Sequence, residues 1–128
     1  MTREEIALFD KVSVQLQSFY DETTVLVKKD PKGEMNEFKL KLINKILAKA
    51  NDILKEMKPF DDFDEFDVDS LPNNGDVAII LGQYINCLEE LRKDNLHLHS
   101  GWWYWNIDGI ENINNKEIRT YIPQKYKK

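Results

Sequence analysis

Three stretches of this chain carry apolar residues at three- and four-residue steps, the spacing that places them along one side of an α-helix. The stripe of the first stretch is formed by Ile6, Phe9, Val12, Leu16, Phe19, Thr23 and Val27. Thr2 and Glu5, just before it, match a capping box, in which each side chain satisfies a backbone donor of the first turn. We therefore predict helices over about residues 2–28, 31–58 and 75–96.

The breaks between these predicted helices differ in length. Residues 30–33 read Asp-Pro-Lys-Gly, a tight turn that sends the second helix back along the first. Pro59 ends the second helix, because proline lacks a backbone donor and clashes with the preceding turn. Residues 59–74 have no helical spacing, and the stretch 59–76 holds seven acidic residues with no Lys or Arg. An acidic loop is therefore predicted over residues 59–74.

The character of the sequence changes near residue 99. Four aromatic residues follow one another at 102–105, and Ile118, Thr120 and Ile122 alternate as the residues of a strand do. We predict a β-hairpin over about 99–123, packed on the helices because two strands alone are marginally stable in water. The predicted fold is α+β and mainly α: an antiparallel three-helix bundle with a C-terminal β-hairpin, in a single domain over residues 1–128.

Cysteine content and hydropathy indicate the environment. Cys87 is the only cysteine, which excludes an intrachain disulfide and fits a reducing compartment. We expect Cys87 to be a small apolar residue of the third helix rather than a nucleophile. The first residues are charged where a secretion signal needs an apolar stretch, and no apolar run approaches the roughly 20 residues of a membrane span. A cytoplasmic protein without membrane contact is expected.

The aromatic run 102–105 is the first candidate binding surface. Successive side chains of a strand point to opposite faces, so Trp102 and Tyr104 face one way and Trp103 and Trp105 the other. One pair can cover the helices, and the other then forms the kind of aromatic surface that dominates protein interfaces. The sequence leaves open which pair faces outward, and packing of both pairs within a small domain is the alternative.

The acidic loop is the second candidate surface. Phe60, Phe63 and Phe66 stand among carboxylates that include Asp62, Asp64 and Asp67. The phenylalanines could anchor a protein partner while the carboxylates steer a basic one. In the alternative interpretation the loop is solvated and its phenylalanines plug the end of the bundle. The loop lacks the central glycine of a calcium-binding EF-hand loop, so we predict no calcium site.

Residues 92–97 carry a local resemblance to a known family. Arg92-Lys93-Asp94-Asn95-Leu96-His97 resembles the R-x4-H end of the motif of HEPN-type ribonucleases, and His99 fits the longer R-x6-H form. The resemblance implies a helical dimer with a metal-independent RNA-cleaving site, in which Arg92 holds phosphate and His97 is the acid–base catalyst. Two histidines alone are too few ligands for a metal, so no metal or cofactor is predicted.

These observations favour a binding protein over an enzyme, because clustered aromatic and acidic residues suit recognition and candidate catalytic groups are sparse. We expect a small cytosolic module that regulates, inhibits or assists a larger protein partner, as an immunity protein, antitoxin, phage inhibitor or defence accessory subunit does. The HEPN-like ribonuclease is the alternative. Nucleic acid is a less favoured partner, since the net charge is −5. The sequence does not distinguish a monomer from a homodimer.

Overall fold

The computed structural model describes residues 1–126. Its regular elements are α1 (Arg3–Lys29), α2 (Glu37–Leu54), α3 (Asn74–Asp94), β1 (Leu96–His99), β2 (Trp102–Trp105) and β3 (Arg119–Thr120). The first helix packs on both others, and the three strands form one antiparallel sheet after them. The predicted mainly α, α+β fold is therefore confirmed. Within residues 1–126, we find no helix with the length and apolar character that crossing a membrane requires.

Local signals place the first helix as predicted. The Thr2 hydroxyl accepts a hydrogen bond from the Glu5 amide at 3.1 Å, and the Glu5 carboxylate accepts one from the Thr2 amide at 3.0 Å. The predicted capping box is thus present, and α1 begins at Arg3, directly after the capping residue Thr2. The buried members of its stripe are Ile6, Phe9, Val12, Leu16 and Thr23.

The second and third helices begin at different residues from those predicted. α2 starts at Glu37, because the segment before it is extended and hydrogen-bonds with the residues that precede α3. The amide of Met35 donates to the Pro72 carbonyl at 2.9 Å. Asn73 caps α3, because its side chain accepts a hydrogen bond from the Asp76 amide at 2.7 Å. The later start of α2 comes from contacts between distant parts of the chain, which helical spacing does not record, whereas the cap of α3 is local.

The acidic loop is ordered and fills the gap between α2 and α3. Phe66 is 8% exposed. The ring of Phe63 meets the rings of Phe66 and Tyr84 edge-on, with centroids 5.1 and 6.4 Å apart. Asn44 of α2 both donates to the Phe66 carbonyl and accepts from the Phe66 amide, each at 2.9 Å. Burial raises the pKa of Tyr84 to about 12. Phe63 and Phe66 therefore complete the core, as the alternative interpretation of this loop expected, whereas Phe60 is exposed.

Replacing Asn44 with alanine should loosen the loop and cost about 2 kcal/mol of unfolding free energy, because the buried Phe66 amide and carbonyl would lose their partners. Amide hydrogen exchange at Phe66 should quicken together with the loss of stability. Asn86, an exposed asparagine of α3, provides the control, and Asn86→Ala should change neither quantity. Unchanged exchange at Phe66 in Asn44→Ala would contradict the assignment.

The sheet contains one strand more than the predicted hairpin. β2 pairs with β3 as expected, with Trp103 opposite Thr120 and Tyr104 opposite Arg119. β2 also pairs along its other edge with β1, whose residues had been predicted to end the third helix and begin the hairpin. Ser100 and Gly101 join these strands with φ values of 50° and 85°. Positive φ at both central residues is what the favoured two-residue hairpin turn requires.

Candidate interaction surface

The register of the sheet divides its residues between two faces, since directly opposed residues of antiparallel strands point the same way. The inner face carries Leu96, Leu98, Trp103, Trp105 and Thr120, of which Leu98 lies beyond the helices and is 58% exposed. The outer face carries His97, His99, Trp102, Tyr104 and Arg119. The pair Trp102 and Tyr104 is therefore the one on the outer face, which the sequence had left open.

The inner face joins the sheet to the helices. Trp105 is 1% exposed, and its ring meets the edge of Phe9 of α1 with centroids 5.0 Å apart. Trp103 stacks on Tyr126, with centroids 5.6 Å apart and an angle of 13° between the rings. Trp105 and the buried Phe66 were both included in the predicted contact surface. Their burial assigns them to the core in this structure.

The outer face displays aromatic and cationic groups together. Trp102 is 51% exposed, and the guanidinium carbon of Arg119 lies 3.4 Å from the centroid of its ring. Tyr104 stacks on His97, with centroids 5.9 Å apart. Sequence reasoning missed Arg119, because only the pairing of β3 with β2 brings it beside Trp102. Tyr104, Trp102 and Arg119 form one cluster on the outer face, because Arg119 lies directly opposite Tyr104 and reaches diagonally across to the Trp102 ring.

His97 is tied to the loop that follows the sheet. Its Nε2 donates to the Asn115 carbonyl at 2.8 Å, and its Nδ1 lies 2.7 Å from Oδ1 of Asn106. Asn115 is buried and donates from its side chain to the Trp105 carbonyl at 2.9 Å. Because both ring nitrogens have partners inside the fold, His97 is placed to support the outer face rather than to exchange protons with a substrate.

Arg92 is enclosed by the end of the chain. It is 1% exposed and pairs with Glu89 through two hydrogen bonds of 2.9 and 2.8 Å. It also donates to the Thr120 hydroxyl and to the carbonyls of Tyr121 and Ile122, at 3.1, 2.8 and 3.2 Å. A guanidinium with this many internal acceptors joins α3 to the residues after β3. That geometry favours a structural role for Arg92 over phosphate binding.

The chain matches no protein-family model, no curated protein and no solved structure. The function must therefore be inferred from the surfaces themselves.

The acidic loop presents carboxylates on a different part of the molecule. It lies along α2 and α3, whereas the sheet packs on the start of α1 and the end of α3. Asp62, Asp64 and Asp67 are exposed, and so is Phe60 at the start of the loop. Asp64 pairs with Lys58, while Asp67 accepts from the Asp69 amide at 2.9 Å. The loop therefore offers a fixed negative surface with few apolar anchors left exposed.

A groove of about 740 Å³ lies between α1 and α3. Its lining includes Ser13 and Gln17 of α1, Ile85 and Glu89 of α3, and Tyr121 after β3. Glu89 is already bonded to Arg92 and to the backbone amide of Gln124. The groove consequently offers little free charge to a ligand, in contrast to the outer face of the sheet.

Metal binding and thiol chemistry receive no support from the described part of the chain. Within residues 1–126, no three His, Cys, Asp or Glu side chains come together as a metal site would require. Nδ1 of His99 lies 3.1 Å from the hydroxyl oxygen of Ser100. Cys87 is half-buried, and burial raises the pKa of its thiol, which disfavours the reactive thiolate.

Proposed function

We propose that this protein is an interaction module that regulates, inhibits or assists a larger protein partner, and that it binds through the outer face of its sheet. The observation that carries this proposal is the cluster of the exposed Trp102 and Arg119 with the half-buried Tyr104. Tyrosine, tryptophan and arginine are the residue types that most often carry the binding energy of protein interfaces. No other described surface combines all three.

The side chains of this cluster are also preorganised for binding. Arg119 is stacked on Trp102, and Tyr104 is stacked on an imidazole whose two nitrogens are hydrogen-bonded. Beneath them, Trp105 fixes β2 against α1. Side chains that are already ordered lose less conformational entropy on binding, so more of the contact energy is available for affinity.

The acidic loop has a supporting part in this proposal. Its exposed carboxylates give the module a strongly negative side away from the sheet, which attracts a basic region of the partner, orients its approach and raises the association rate. Because Phe63 and Phe66 pack against the helices, we assign the loop a role in steering rather than in the central contact. Substitution of Asp62 or Asp67 should then change the salt dependence of association more than the dissociation rate.

Replacing Trp102 with alanine should weaken the complex roughly tenfold or more, because a central tryptophan typically contributes over 1 kcal/mol. The partner would first be captured from native lysate with and without nuclease. Its affinity for the purified unchanged protein and for Trp102→Ala would then be measured by calorimetry. The free energy of unfolding of Trp102→Ala should stay within about 1 kcal/mol of that of the unchanged protein, so a loss of affinity would reflect the lost surface contact and not unfolding.

Phe38 provides a matched control, since it is an aromatic residue of α2 that is 70% exposed and lies outside the sheet. Phe38→Ala should bind the captured partner as the unchanged protein does. Equal losses in Phe38→Ala and Trp102→Ala would contradict the assigned surface. Capture of RNA alone, or of no protein, would contradict the proposed function itself.

A further inference from the structure

The three arginines of this chain differ in where their carboxylate partners lie. Arg3 forms a bidentate pair with Glu117 at 2.7 and 2.9 Å, and Arg92 forms one with Glu89 at 2.9 and 2.8 Å. Arg119, the third, contacts the Trp102 ring instead. Within residues 1–126 its guanidinium makes no hydrogen bond or ion pair, although the chain contains 23 acidic residues.

We propose that Arg119 takes its carboxylate from the partner, so that the outer face of the sheet recognises an acidic protein segment. This inference rests on the proposed function and specifies the chemistry of its partner. The guanidinium is planar and carries five N–H donors in a fork that matches a carboxylate. With one face of the guanidinium against the Trp102 ring, the donors at its edge remain open to a coplanar carboxylate.

The surroundings of Arg119 favour an anion. The outer face carries two imidazoles and no Asp or Glu. Glu117 lies two residues before Arg119 and is the nearest carboxylate along the chain, but it is held by Arg3, whose hydrogen bond lowers the pKa of Glu117. A carboxylate brought by a partner therefore meets an unpaired guanidinium without an internal competitor.

The aromatic neighbours specify the rest of the segment. Trp102 and Tyr104 offer ring surface beside the guanidinium, so an apolar or aromatic residue next to the partner's carboxylate would lie against them. A nucleic acid fits less well. Binding of a phosphate backbone depends on many cations, whereas this face supplies one arginine on a protein with a net charge of −5.

Defined peptides test this inference on the full chain. The acidic probe is a capped Glu-Phe-Glu-Glu-Phe-Glu peptide, and its neutral match is Gln-Phe-Gln-Gln-Phe-Gln. Binding is followed by NMR through the indole N–H resonance of Trp102, which lies at the site. We expect the acidic peptide to bind at least about tenfold more tightly than the neutral one, since charged hydrogen bonds contribute that much.

Variants of Arg119 separate the shape of its side chain from its charge. Arg119→Lys keeps the charge but loses the fork, and should bind the acidic peptide several-fold more weakly. Arg119→Gln should remove the preference for the acidic peptide. Lys116→Gln, which removes the same charge from an exposed residue outside the outer face, should retain that preference.

Equal affinity for the two peptides would overturn the inference, and so would full affinity in both Arg119→Lys and Arg119→Gln. Displacement of the acidic peptide by a short oligothymidylate, with tighter binding of the oligonucleotide, would also overturn it. The proposed function fails differently. If the captured partner requires Trp102 but tolerates Arg119→Gln, the interaction module stands and the acidic segment does not.

Discussion

Replacing Trp105 with alanine is expected to lower the free energy of unfolding by about 4 kcal/mol, the usual cost of truncating a large buried aromatic residue. Trp105 is the one residue of β2 that is fully buried, and its ring meets Phe9 of α1. Truncation would leave a cavity at the junction between the sheet and the helices. Urea unfolding should show a lower midpoint with an unchanged slope, because the cavity weakens the native state without changing the surface exposed on unfolding.

Trp102→Ala is the matched control, since it makes the same truncation in the same strand on the opposite face. Trp102 is half exposed, and its loss removes a cation–π contact of about 0.5–1 kcal/mol from the free protein. The two variants should therefore separate stability from binding. Trp105→Ala should lose mainly stability, whereas Trp102→Ala should lose mainly affinity for the partner. Equal losses of stability would mean that β2 does not face the helices as described.

The helices could be predicted because their signals are local. The capping box at Thr2 and Glu5 lies within one turn, and the apolar stripe of α1 repeats over neighbouring turns. The start of α2 could not be placed in this way. Met35 bonds to Pro72, a residue 37 positions further along the chain, and this pairing holds the preceding segment extended. A contact of that kind is invisible to a spacing argument.

The sheet shows the same division between local and distant signals. Alternation separated Trp102 and Tyr104 from Trp103 and Trp105, because that follows from strand geometry alone. The outward pair was settled only by Phe9, which lies against Trp105 from another element. β1 was missed because its four residues, Leu-His-Leu-His, are too short a segment to predict a strand from their sequence alone. Only their pairing with β2 identifies them as one.

The candidate surface was predicted in part for a similar reason. The aromatic run identified the strand, since such a composition is unusual in any context. The arginines carry no such signal, because their sequence neighbours do not reveal which one is buried and which one is exposed. Arg92 lies under the end of the chain and Arg119 on the outer face, and only the packing of the C-terminal residues separates them.

Replacing Arg92 with alanine is expected to lower the free energy of unfolding by about 3 kcal/mol, because breaking a buried ion pair leaves its partners without compensation. Glu89 would lose its cation, and the carbonyls of Tyr121 and Ile122 would lose their donors. Proteolysis should then cut after β3 more rapidly, since these bonds hold that segment to α3. Arg3→Ala removes an equally bidentate but exposed pair with Glu117, and should leave the unfolding midpoint nearly unchanged.

This comparison also separates the structural role of Arg92 from the role that the resemblance to HEPN ribonucleases implies. An arginine that holds a phosphate can be removed with loss of RNA cleavage and little loss of stability, because its partner is the substrate. An arginine bonded to a glutamate of its own helix and to two backbone carbonyls after β3 cannot be removed without loss of stability. If Arg92→Ala unfolds at the midpoint of the unchanged protein, those internal bonds do not stabilise the fold, and RNA cleavage by the same variant becomes the decisive assay.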